Sequence, residues 1–195
     1  MNIIQHALPT SINLSGARAP IRSDFRVWME IEQLYQNAYN GPKERVLMAL
    51  MLCYEHPENI NDFSEAVSGL LWFFRCGIPT DPRLAKMAEQ KAFKRIYDYE
   101  QDAEYIYAAF LEQYGVDLCD IEYLHWWKFK AMFHALSEDR FISKIMAYRN
   151  TNLSEINDKE ARNRIAQKQA LYRLRDGKSE EEKADMLFYV EDSAV

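Results

Sequence analysis

Hydrophobic and polar positions first alternate over residues 12–21, INLSGARAPI, switching about Ser15 and Gly16, and so predict a short β-hairpin. Pro20 has no N–H to give to a ladder, which confines that part to an edge strand or a loop arm. From Phe25 the period lengthens to three and four. Phe25, Trp28, Ile31, Leu34 and Tyr35 then share one face of a helix that Ser23 or Asp24 can cap. Gly41-Pro42 predicts the start of a second helix, with proline where its missing N–H costs nothing, and His56-Pro57 predicts its close. Asp62 with Glu65 three residues on has the form of a capping box ahead of the apolar run 67–74, and Gly77 is the expected stop.

Two prolines in residues 78–83, IPTDPR, predict a linker or crossover. A helix is expected over residues 91–114, where Ile96, Tyr99, Ala103, Ile106 and Phe110 form one buried seam ending at Gly115. Asp120 can cap the next helix, expected to reach Leu136 and carrying LHWWKFKAMF at residues 124–133. A shorter one is expected over residues 138–148. The pattern then weakens: residues 158–175 are charged and only weakly amphipathic, and Ser179 with Glu182 predicts a last short helix ending near Val190. The fold class that results is mainly α. A multi-helix, bundle-like domain (residues 23–153) follows an N-terminal β-hairpin arm (residues 1–22) and precedes a charged helical C-terminal arm (residues 154–195).

Composition narrows this picture without redirecting it. A chain of 195 residues that is 48% hydrophobic and 13% aromatic can bury a sizeable core, and six glycines with six prolines are few for a turn-rich all-β fold. The net charge of -6 repels phosphate backbones and anionic lipid, so neither nucleic acid nor a membrane is an expected partner. Cys53, Cys76 and Cys119 form no C-x-x-C pair and are expected to be buried, reduced thiols. The first residues lack the charged and apolar regions of a secretory signal, and the longest apolar run, residues 46–54, is far below the roughly 20 residues that span a bilayer. A cytoplasmic location is the expectation.

Candidate chemistry is sparse. Glu122 and His125 stand in the i, i+3 relation of a Glu-x-x-His metal pair, but a di-iron bundle needs that motif twice, and no other histidine has a glutamate three residues upstream. A histidine bonded at a helix interface explains the pair more simply, and no metal or cofactor is expected. Asp98 and Asp102, four apart, can act as general acid and base only if burial separates their pKa values. The favoured reading makes them ion-pair partners of Lys128, Lys130 and His125. An enzyme built on Asp98, Asp102 and His125 is the weaker reading, since no nucleophile elbow, phosphate loop or dinucleotide turn is present. In the basic stretch from Lys159 to Lys178 only Tyr172 is aromatic and Glu180 follows closely, which fits a solvated helix or a protein-docking arm.

LHWWKFKAMF is apolar on two sides. Leu124 and Trp127 fall on one face, and Trp126, Phe129 and Phe133 on another. The first is expected to pack inward. The second is either also buried or a surface where Trp126, Phe129 and Phe133, with Trp127 beside them, receive a partner.

The order of these segments resembles a family. SDFRVW around Phe25, LLWFFRCG at 70–77, YDYEQDAEYIYAAFLEQYGVDL at 97–118, LHWWKFKAMFHAL at 124–136 and MAYRNTNL at 146–153 are together similar to the phage and prophage family called bacteriophage gene product fifteen. The resemblance implies a protein encoded among tail genes near the tape measure. It points to a non-enzymatic tail assembly factor in the host cytoplasm, a chaperone for the tape-measure protein that also meets the tail tube protein. A structural component of the virion is the alternative. It implies no catalytic residues.

Overall fold

Ser15 and Gly16 take φ values of 49° and 86°, the left-handed pair that a two-residue hairpin loop needs. They join β1 (Ser11–Leu14) to β2 (Ala17–Pro20), antiparallel with Ser11 opposite Pro20. The computed structural model describes residues 4–36, 41–79 and 94–175. Within them the hairpin is followed by α1 (Phe25–Gln36), α2 (Pro42–Cys53), α3 (Phe63–Phe74), α4 (Ala103–Tyr114), α5 (Trp126–His134), α6 (Phe141–Asn150) and α7 (Lys159–Leu171). The chain is mainly helical, as its periodicity predicts. No helix among the described residues is long and apolar enough to cross a membrane.

Local signals set many of the boundaries. Pro42 opens α2 while the Glu44 carboxylate accepts from the Gly41 N–H at 3.0 Å. Asp62 caps α3 by accepting from the Glu65 N–H at 2.9 Å. The other half of the expected box goes elsewhere, because the Glu65 carboxylate accepts from the Ser15 N–H (2.7 Å) and hydroxyl (2.6 Å) and fastens the hairpin turn to α3. Gly69 lets that contact close. A Cβ there would lie 2.6 Å from Ile12 Cγ2 and 3.0 Å from the Tyr54 hydroxyl.

Three expected helices begin later than the periodicity predicts. Of the stretch 91–114, the segment from Lys94 to Asp102 is not helical and α4 starts at Ala103; residues 91–93 lie outside the described residues. Asp98 is the reason: its carboxylate accepts from the Glu100 and Gln101 N–H groups at 2.8 and 2.7 Å, a turn that competes with a continuous helix. Tyr99 is buried, but from a turn and not from a helical seam. The aromatic helix starts at Trp126, not at Asp120. Asp117 holds the Cys119 and Asp120 N–H groups in a turn, and residues 124–126 are taken up in a bridge to α1, with Phe25 N–H to Leu124 O at 2.9 Å and Trp126 N–H to Ser23 O at 2.8 Å. The third, expected from residue 138, starts at Phe141. The last helix expected, from Ser179 to Val190, lies outside the described residues.

The core is aromatic and centred on α5. Phe129 stacks on Phe25 (4.9 Å between ring centroids), Phe110 (5.1 Å) and Trp126 (5.8 Å), while Trp28 meets Phe73 at 4.5 Å. Each such side chain contributes roughly 1.5–3 kcal/mol by leaving water. Around it α1 packs on α2 and α5, α2 on α3, α3 on β1, and α4 on α6. The C-terminal segment as far as Arg175 lies against the body. Gln169 donates to Tyr148 O and Thr151 O at 2.7 and 2.8 Å, and the Tyr172 ring meets Phe141 at 5.7 Å.

Candidate functional site

The four aromatic residues expected at a partner surface are all core residues. Trp126 and Phe129 are wholly buried, and Trp127 and Phe133 are 3% exposed. The docking alternative for that face is therefore corrected, and the cause is the indole N–H groups as much as the rings. Trp126 Nε1 donates to Phe74 O at 3.1 Å and Trp127 Nε1 to Phe73 O at 2.8 Å, so adjacent tryptophans satisfy the last carbonyls of α3. Gly77, at φ 71°, passes so close that a Cβ would sit 2.8 Å from the Trp127 ring. Trp127 also borders a cleft of about 490 Å³ with Phe74, Ile78 and Lys130.

The candidate polar residues are brought into two separate arrangements. Asp102 is held by Arg149 through two bonds, Nη1 to Oδ2 at 2.6 Å and Nη2 to Oδ1 at 2.9 Å. The same guanidinium donates to Ile96 O at 3.0 Å and, through Nε, to Tyr172 O at 2.7 Å, joining α6 to the segment before α4 and to the end of α7. Asp98 pairs with Arg95. The aspartates do form ion pairs, but with arginines in place of Lys128, Lys130 or His125. Lys128 is exposed, and Lys130 approaches Glu32 at 3.7 Å and the Trp126 ring at 5.2 Å.

His125 caps α5. Its Nδ1 accepts from the Trp127 N–H at 3.1 Å while Nε2 donates to Pro9 O at 3.0 Å, a pattern that only the neutral ring can supply. Burial pushes its pKa down; the bond to Pro9 opposes that shift and Lys128 adds to it. Glu122 is outside the helix, so the Glu-x-x-His geometry does not form. Among the described residues no group of three or more His, Cys, Asp or Glu side chains is placed to hold a metal ion. Of the cysteines, Cys53 is buried and Cys76 half-buried with its thiol pushed up to about 11, whereas Cys119 is exposed, contrary to the expectation.

Cys119 stands at the rim of a groove of about 900 Å³ between α1 and α4. Phe25, Met29 and Gln33 line one wall as an i, i+4, i+8 row; Ala103, Ile106 and Tyr107 line the other, with Tyr99 and Leu118 between them. Phe25 and Tyr99 both rest on Phe129, at 4.9 and 5.9 Å, so the aromatic helix backs the floor of this groove. Arg26, the lining cation, is engaged with Asp24 (3.2 Å), Leu118 O (3.2 Å) and Ile121 O (2.7 Å). The rim carboxylates Glu30, Glu100 and Glu104 have no side-chain partner among the described residues. Sequence reasoning missed the groove. Its one local trace is Met29, an apolar residue off the Trp28–Ile31 face.

Comparison with known proteins agrees with the residue order quoted above. The chain belongs to the family described as Bacteriophage Gp15 protein, whose model matches residues 4–174. No curated protein and no solved structure matches it.

Proposed function

We propose that this member of the Gp15 family is a non-enzymatic assembly factor for long phage tails, acting in the host cytoplasm as a chaperone-like binder of the tape-measure protein. A tape measure is a long helical chain that needs its apolar faces shielded until tube subunits polymerise around it, and a helix-binding groove shields such a face. The observation that carries the reading is the groove between α1 and α4, an apolar floor rimmed by carboxylates that have no side-chain partner among the described residues, on a bacteriophage protein. The catalytic alternative has less support, because Asp102 and His125 are each committed to structural bonds and share none.

Co-expression with the tape-measure coding sequence of the same phage tests the proposal. The expected result is a soluble complex that copurifies, with little of this protein in purified particles by mass spectrometry. Abundant copies in mature tails would replace the chaperone with a structural component of the virion, and a tape measure equally soluble alone would remove the chaperone role.

A further inference from the structure

We infer that the groove between α1 and α4 docks one amphipathic helix of a partner protein, with an apolar stripe flanked by lysines or arginines. The inference takes the bearer of that helix, the tape measure, from the reading above, but its geometry does not depend on it.

The groove is walled mainly by α1 and α4, whose backbone groups are bonded within the helices, and no strand among the described residues lines it, so recognition goes through side chains. Phe25 and Met29, one helical turn apart on α1, face Ala103 and Ile106 on α4 across the floor. That arrangement accepts apolar residues spaced three and four apart on an incoming helix. Met29 supplies an adaptable, polarisable surface, while Phe25 and Tyr99 are held rigid by Phe129.

Charge selects the flanks. Glu30 stands on the α1 side and Glu100 and Glu104 on the α4 side, all exposed and without side-chain partners among the described residues. Arg26 is neutralised by Asp24 and turned to the Leu118 and Ile121 carbonyls, so it does not offset them. An incoming helix therefore meets carboxylates on both sides of its apolar stripe. Cations there are attracted and anions repelled, which sets orientation and partner choice more than raw affinity.

The test uses the full chain and two synthetic helical peptides of about four turns, ~15 residues each. One has a leucine stripe flanked by lysines, the other the same stripe flanked by glutamates. The lysine peptide is expected to bind at least about tenfold tighter by fluorescence anisotropy, and Glu30→Lys with Glu104→Lys is expected to reverse that order. Both substitutions are at exposed positions, and an unchanged circular dichroism spectrum verifies the fold. Binding is also expected to slow thiol modification of Cys119, at the rim, several-fold.

Equal binding of the two peptides, or an unprotected Cys119, overturns the inference. So does concentration-dependent self-association that the lysine peptide does not disrupt, which would make a second copy the occupant. If the lysine peptide binds as expected and the tape measure does not copurify, the groove stands and the tail-assembly reading fails. If the tape measure copurifies equally with the charge-reversed protein, the groove is not its site and the assembly reading stands.

Discussion

Around Phe129 the chain is held by rings, and around Arg149 by charge. The ring cluster joins α1, α3, α4 and α5 through stacked and tilted contacts among Phe25, Trp28, Phe73, Phe110, Trp126 and Phe129. Its attraction is non-directional and grows with buried area. The arginine clasp joins α6, the segment before α4 and the end of α7 through a few bonds of fixed geometry. It works where apolar material is scarce, since α7 has no buried residue. A buried ion pair adds little stability over an apolar replacement, but it strongly disfavours any arrangement that separates the two charges. The ring cluster supplies the cohesion, and the clasp specifies where the C-terminal segment lies.

The largest effect that tests this contrast is at Trp126. Trp126→Ala is expected to cost about 3–5 kcal/mol, from lost burial and an unsatisfied Phe74 carbonyl, and to lower the urea midpoint for the whole domain. A loss under ~1 kcal/mol would show that the rings do not carry the fold. Next is Arg149→Ala, expected at about 3 kcal/mol because it strands the Asp102 carboxylate. Arg149→Met combined with Asp102→Leu should recover most of the stability, while amide exchange stays fast in α6 and α7. Recovery of both would mean that the clasp contributes no positional specificity.

A smaller change tests the hairpin contact. Gly69→Ala forces a methyl into Ile12 and is expected to cost about 1–3 kcal/mol, with faster exchange confined to β1, β2 and α3. The smallest effect is acidification. The folded pKa of His125 lies below its ordinary 6.5, so the unfolded chain takes up the proton first and stability falls as pH drops below about 6.5. Protonation also puts a hydrogen on Nδ1, where the Trp127 N–H needs an acceptor. Urea midpoints between neutral and mildly acidic pH should show a shallower slope for His125→Asn, which keeps an acceptor without titrating. An identical slope would leave His134, whose pKa burial also lowers, as the group responsible.

Much of the fold is legible in the sequence. The Ser15-Gly16 turn, the Asp62 cap and the Gly115 stop rest on contacts within a few residues and form as predicted; of the α1 face Phe25, Trp28 and Ile31 are buried and Leu34 half-buried, whereas Tyr35 is exposed. The segment 96–102 misleads because its apolar residues keep helical spacing while Asp98 ties the backbone into a turn. Asp120 misleads because a better-placed acceptor, His125, is not a common helix cap. The candidate site was scarcely legible. Its walls lie on helices some 70 residues apart in the chain, and its rim charges are ordinary surface glutamates until α1 and α4 come together.

The sequence by itself determined the helical class, the hairpin and the double-faced aromatic helix, because propensity, capping and hydrophobic period act over one or two turns. Tertiary structure decided that both tryptophans of that helix turn inward, since the end of α3 brings the Phe73 and Phe74 carbonyls within reach of their indole N–H groups. It also decided which surface stays open. A groove belongs to two helices at once, and the angle and distance between them are settled by the packing of residues far apart in the chain.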